Sequence, residues 1–69
     1  MIELTSGYNS AVSQKVLLNK RHIIYVSECH LQNESYTGVN SYIEYGFGAE
    51  PQVLYAKETY EHIKQLLQK

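Results

Sequence analysis

The chain has no tryptophan and no aspartate, and only one cysteine and one proline, in 69 residues. Each scarcity closes a route. With Cys29 alone, no intrachain disulfide can staple the fold, and a lone thiol suits a reducing compartment. Aspartate is missing alongside any glycine elbow around a serine, any HExxH and any phosphate-loop pattern, so no segment spells out a catalytic motif. No apolar run approaches the ~20 residues that cross a bilayer; the longest mostly apolar stretch is residues 22–26. Charge of either sign is also in short supply. Six Lys and Arg against seven Glu leave a net charge of −1, so the long-range field that draws proteins to nucleic acid or anionic lipid is absent. The opening MIELTSGYNS has neither the basic nor the apolar region of a secretory signal, which makes the cytoplasm the expected location.

What remains is enough for one small domain spanning residues 1–69. At this size a single core rarely supplies more than roughly 3 to 5 kcal/mol, and without disulfides the remaining way to bury more apolar surface is a homo-oligomer. Residues 2–5 alternate apolar and polar as a short half-buried strand, and residues 6–14 collect turn formers as a loop. Val16, Leu17 and Leu18 resume an extended run. After Asn19, Lys20 and Arg21, residues 23–26 form the most β-prone window, apolar on both faces, which predicts a central strand. Residues 29–35 read as a polar loop.

Residues 36–48, YTGVNSYIEYGFG, hold the aromatic concentration. Strand alternation puts Thr37, Val39, Ser41, Ile43, Tyr45 and Phe47 on a core-facing side, and Tyr36, Asn40, Tyr42 and Glu44 on the outer one. Pro51 breaks the strand, residues 52–56 form the last one, and the spacing of Tyr60, Ile63 and Leu67 predicts a helix over 58–68. Within that helix, His62 can pair with Glu58 one turn earlier. The fold class is therefore α+β: a small antiparallel β-meander of four to five strands, as a sheet or partly closed barrel, with one C-terminal helix.

His22, His30, His62 and Cys29 are the soft ligands, and none sits at a structural-zinc spacing, so neither a metal nor a cofactor is expected. A cysteine nucleophile would need a base and an orienting third group, and a domain this small offers little wall for a closed pocket, so the chain reads as non-enzymatic. Two surfaces stand out. Tyr36 and Tyr42, left on the outer face, suit a protein partner, since tyrosine buries a ring while its hydroxyl keeps a polar partner. The same pair with Lys20 and Arg21 could instead bind single-stranded nucleic acid or a nucleotide by stacking and charge. For self-association the candidates are Leu54 and Tyr55 on a bare strand edge, and Leu66 and Leu67 on the helix.

Met1 to Thr5 at the start, Leu18 and Asn19 before Ile23, Ile24 and Val26, the Tyr42 and Ile43 strand, and Val53 to Ala56 leading into Lys57, Glu58, Thr59, Tyr60 and Glu61 form a pattern. It resembles the short FlbD/SwrD-like family of flagella-associated proteins and similar small phage and prophage reading frames. The family's compact Asn-Gly-Lys hairpin is absent here. The resemblance implies a small non-enzymatic accessory or inhibitor protein, flagella-associated or phage-encoded, that acts by contact with another protein.

Overall fold

A computed structural model describes residues 1–9, 14–46 and 49–69. Strand β1 (Ile2–Thr5) pairs antiparallel with β2 (Lys15–Leu18), matching Ile2 to Leu18 and Leu4 to Val16. The alternation read from the sequence sets the faces: Ile2, Leu4 and Leu18 are buried, while Glu3 and Leu17 are exposed. A single 3₁₀ turn over Lys20–His22 follows, capped by the Asn19 side chain, which accepts from the Arg21 amide at 3.0 Å. Strands β3 (Ile23–Leu31), β4 (Val39–Tyr45) and β5 (Gln52–Ala56) form an antiparallel sheet in the order β3-β4-β5. The second half is thus a three-strand meander, and the first two strands are a separate hairpin. An antiparallel bridge between Ser6 and Ala56 stitches the two together, and among the described residues the barrel is not closed.

Helix α1 (Tyr60–Leu67) opens on Thr59, whose hydroxyl accepts from the His62 amide at 3.2 Å. Eight residues are too few to be helical alone in water, so tertiary contact holds this helix. Ile63, fully buried, inserts among Ile2, Leu4, Leu18, Ile43, Leu54 and Ala56, while Leu66 and Leu67 pack at the rim of that cluster. Burying Ile63 alone is worth about 1.5 to 3 kcal/mol.

Several expectations change. The window at residues 23–26 is in an edge strand rather than a central one, with Ile24 57% and Tyr25 55% exposed. The reason is local register. From Ile23 opposite Tyr45 to Tyr25 opposite Glu44, β3 advances two residues for one of β4, so a bulge at Ile24 turns that side chain out of the alternation. A second shift between Glu28 and Leu31 lets β3 run through Cys29 and His30, residues expected in a loop. Strand β4 begins at Val39 rather than Thr37 because Gly38 takes φ of 68°, which interrupts extended backbone. Within the segment expected as a loop, Ser6 and Tyr8 make sheet-like bridges; residues 10–13 of that segment, and Phe47, lie outside the described residues.

The helix starts two residues later than expected, and Glu58 has other work than pairing with His62. Its carboxylate accepts from the Thr5 amide and the Thr5 hydroxyl, both at 2.8 Å, while Lys15 Nζ donates to the same hydroxyl at 3.0 Å. The Glu58 carbonyl accepts from the buried Ser41 hydroxyl at 2.7 Å. That bond explains a polar residue in the core-facing row of β4, since a buried hydroxyl is tolerated when it has a partner.

Candidate functional site: a tyrosine ladder

The core occupies one side of the three-stranded sheet, so side chains of the opposite parity meet on the other. Tyr42 on β4 lies directly across from Tyr55 on β5, and their ring centroids are 5.6 Å apart at 65°. Tyr25 on β3 is diagonal to Tyr42, at 6.2 Å and 72°. On the other flank Tyr36 meets Tyr55 at 4.8 Å and 65°, and Tyr8 meets Tyr36 at 5.3 Å and 53°. Five of the seven tyrosines of the chain thereby form one continuous ladder: Tyr8, Tyr36, Tyr55, Tyr42, Tyr25. Tilted and edge-to-face rings satisfy the aromatic quadrupole, and each such pair adds about 0.5 to 1.5 kcal/mol beyond its buried area. The ladder therefore has a favourable geometry of its own.

Its two ends differ. At the Tyr8 end, backbone and amide side chains set the rings. Asn9 donates its amide N–H to the Ser35 carbonyl at 2.8 Å and its side-chain Nδ2 to the Glu34 carbonyl at 2.7 Å, and its Oδ1 accepts from the Thr37 hydroxyl at 2.7 Å. Asn33 Oδ1 accepts from the Ser35 and Tyr36 amides, closing the turn that delivers Tyr36. Gly7 donates to the Tyr55 carbonyl and accepts from the Thr37 amide, both at 2.9 Å. At the other end stands a charge. Glu44 is opposite both Tyr25 and Val53, and its Oε1 accepts from the Tyr42 hydroxyl at 3.3 Å. Desolvation, then the Glu44 carboxylate, push the Tyr42 phenol above its ordinary value.

Tyr36 and Tyr42, expected as the outward pair, are both members of the ladder, and Tyr8, Tyr25 and Tyr55 join them. Lys20 and Arg21 do not. They lie in the 3₁₀ turn before Ile23, which pairs with Tyr45; Tyr42 is three residues further along β4, roughly 10 Å of strand. Lys20 Nζ instead donates to the Lys69 carbonyl oxygen. Tyr55, expected at an oligomer edge, faces the ladder. Leu54 is 8% exposed and belongs to the core, so its side chain is committed within the monomer, while Leu66 and Leu67 are partly buried against that core. The edge of β5 is covered towards its end by the backbone of Thr5 to Gly7.

Two further features border the sheet. A cleft of about 310 Å³ runs between the outer edge of β3 and the helix, lined by Ile24, Tyr25, Tyr60, Lys64 and Leu67 among others. Near the end of β3, His30 contacts Glu28 at 3.0 Å and Asn40 at 3.2 Å, an exposed group. Among the described residues no three metal-ligating side chains gather, and no helix is long and apolar enough to cross a membrane. Comparison with protein-family models, with characterised proteins and with solved structures finds no match to this chain.

Proposed function

We propose that this is a non-catalytic protein-interaction module whose binding surface is the tyrosine ladder. The observation that supports the reading most is the continuity of five rings on the side of the sheet away from the core, with Tyr8 43% and Tyr25 55% exposed. Large, rigid, amphipathic rings give contact area at little cost in side-chain freedom, which is why tyrosine is enriched where proteins meet. A carboxylate beside the rings and the separation of Lys20 and Arg21 from Tyr42 along the sheet favour protein over nucleic acid, whose phosphates Glu44 would repel. The accessory or inhibitor role implied by the FlbD/SwrD-like resemblance agrees with a contact surface.

A random-peptide display library panned on the protein tests this reading. The comparison is a Tyr8→Ser/Tyr25→Ser variant, in which two exposed ladder rings are lost and the core is untouched. Peptides enriched on the parent should shift the Tyr42 and Tyr55 ring resonances and bind the variant roughly tenfold less, the loss expected when aromatic contact residues are removed. Equal enrichment on both proteins would sink the reading. Retention of a single-stranded oligonucleotide at low salt, abolished by Lys20→Ala/Arg21→Ala, would favour nucleic acid instead.

A second copy of the chain is the other partner we propose, at the outer edge of β3. This nine-residue strand is paired on one side only among the described residues, and it exposes Ile24 and Tyr25. Sedimentation should show a mass that rises with concentration and reverts to monomer in Ile24→Lys; a mass indifferent to both would remove the proposal.

A further inference from the structure

Resting on the reading of the ladder as a protein-binding surface, we infer that its partner presents an arginine, whose guanidinium lies over the Tyr25 and Tyr42 rings and pairs with the Glu44 carboxylate. Three observations converge on that corner. First, the two rings stand edge to face at 72° with centroids 6.2 Å apart, so together they offer both a ring face and a ring edge to a guest. Second, Glu44 sits across the strand pair from Tyr25, and the one hydrogen bond its carboxylate makes among the described residues is the 3.3 Å bond from the Tyr42 hydroxyl. Most of its lone pairs are therefore free for a donor. Third, the carboxylate is at the opposite end of the ladder from Tyr8 and Tyr36, so the charge marks one end of an otherwise neutral row of rings and gives a bound segment a direction.

Shape decides which cation. Tyr25 borders the cleft between β3 and the helix, but neither Tyr42 nor Glu44 lines any of the four described clefts, so the side on which the ring and the carboxylate meet is open. A compact ammonium gains most when aromatic walls enclose it, whereas a planar guanidinium stacks on an open face and offers a fork of donors to a carboxylate. An open, ringed surface with a carboxylate at its margin selects the second. Phosphate-bearing and acidic segments are rejected by the same group.

Ring resonances followed during titration with an acetylated, amidated Gly-Ser peptide carrying arginines, and with its lysine and citrulline counterparts, test the inference. Citrulline keeps the planar shape and loses the charge. The arginine peptide should shift Tyr25 and Tyr42 first and bind roughly tenfold more tightly than the citrulline peptide, with lysine between, as a partly exposed charge-assisted pair on an aromatic face allows. Glu44→Gln should erase most of the arginine–citrulline difference while leaving the fold unchanged, and Tyr25→Leu, which keeps apolar area, should weaken the arginine peptide alone. Equal binding of arginine and citrulline peptides, a preference that survives Glu44→Gln, or no ring shift with any of the three would overturn the inference. Its failure is distinguishable from failure of the broader reading: display peptides that still need Tyr8 and Tyr25 but lack arginine would refute the guanidinium and keep the ladder.

Discussion

Gly7 is the position at which a single methyl group should do the most damage for its size. Its backbone joins β5, through the bond to the Tyr55 carbonyl, to the segment before β4, through the bond from Thr37. A Cβ placed there would overlap Val39 Cγ2 and would lie 3.3 Å from the Thr37 oxygen and 3.5 Å from the Tyr55 oxygen. Val39 is 3% exposed and cannot swing into solvent. Overpacking of this kind costs typically 1 to 3 kcal/mol, offset by about 0.4 to 1 kcal/mol from the stiffer unfolded chain when glycine becomes alanine. Gly7→Ala should therefore lose about 1 to 2 kcal/mol and melt roughly 5 to 15 °C lower, since 1 kcal/mol moves a domain of this size by about 4 to 8 °C. Val39→Ala alone leaves a cavity and should cost about 2 kcal/mol. In the double variant the new methyl enters the space that the valine vacates, so the two losses should fall short of their sum by about 1 kcal/mol or more. Thermal and urea unfolding by circular dichroism measure all four corners. A Gly7→Ala protein as stable as the parent, or strict additivity with Val39→Ala, would refute the close approach and with it the way Tyr8 is set beside Tyr36.

The Glu58 clasp should be graded: Glu58→Gln keeps an acceptor for the Thr5 amide and should cost about 1 kcal/mol, whereas Glu58→Ala leaves the donors of buried Thr5 without it and should cost about 2 kcal/mol in urea unfolding. Equal losses would place the clasp's worth in packing instead. The Tyr42 phenol, raised in the folded state, contributes stability that is fully present below the ordinary tyrosine value of about 10 and is lost as pH climbs through the folded value. Ring-carbon NMR titration should find Tyr42 ionising above that ordinary value, and Glu44→Gln should lower it while burial keeps it raised; ordinary titration in the parent would contradict the crowding described at the ladder.

Much of this architecture was legible because one physical rule governed each piece. Val39, Ser41, Ile43 and Tyr45 alternate strictly, and β4 buries that row against the core or at its rim. Leu54 and Ala56 point inward for the same reason, which sends Tyr55 outward; extending that parity to Tyr55 could have joined it to Tyr42 in advance, whereas Tyr25 reaches the same face only through the bulge at Ile24. Residues 23–26 misled because an apolar window on both faces usually means burial on both, while here a bulge turns Ile24 towards a cleft beside the helix. Tyr8 carried no local signal. Its place depends on the bridge to Tyr36 and on Asn9 reaching the turn at residues 34–37, contacts that only the folded chain brings together. The clasp of Thr5 by Glu58 was hidden likewise, since the helical spacing drew Glu58 into the helix when its carboxylate belongs to another strand.

Met1 and Lys69 line one cleft together, with Ile2, Lys20, His62 and Leu66. Both ends of the chain therefore emerge on the helix side of the sheet, behind the tyrosine rings. Anything attached at either end, whether an affinity tag, a surface linker or a fused domain, leaves the ladder pointing outward.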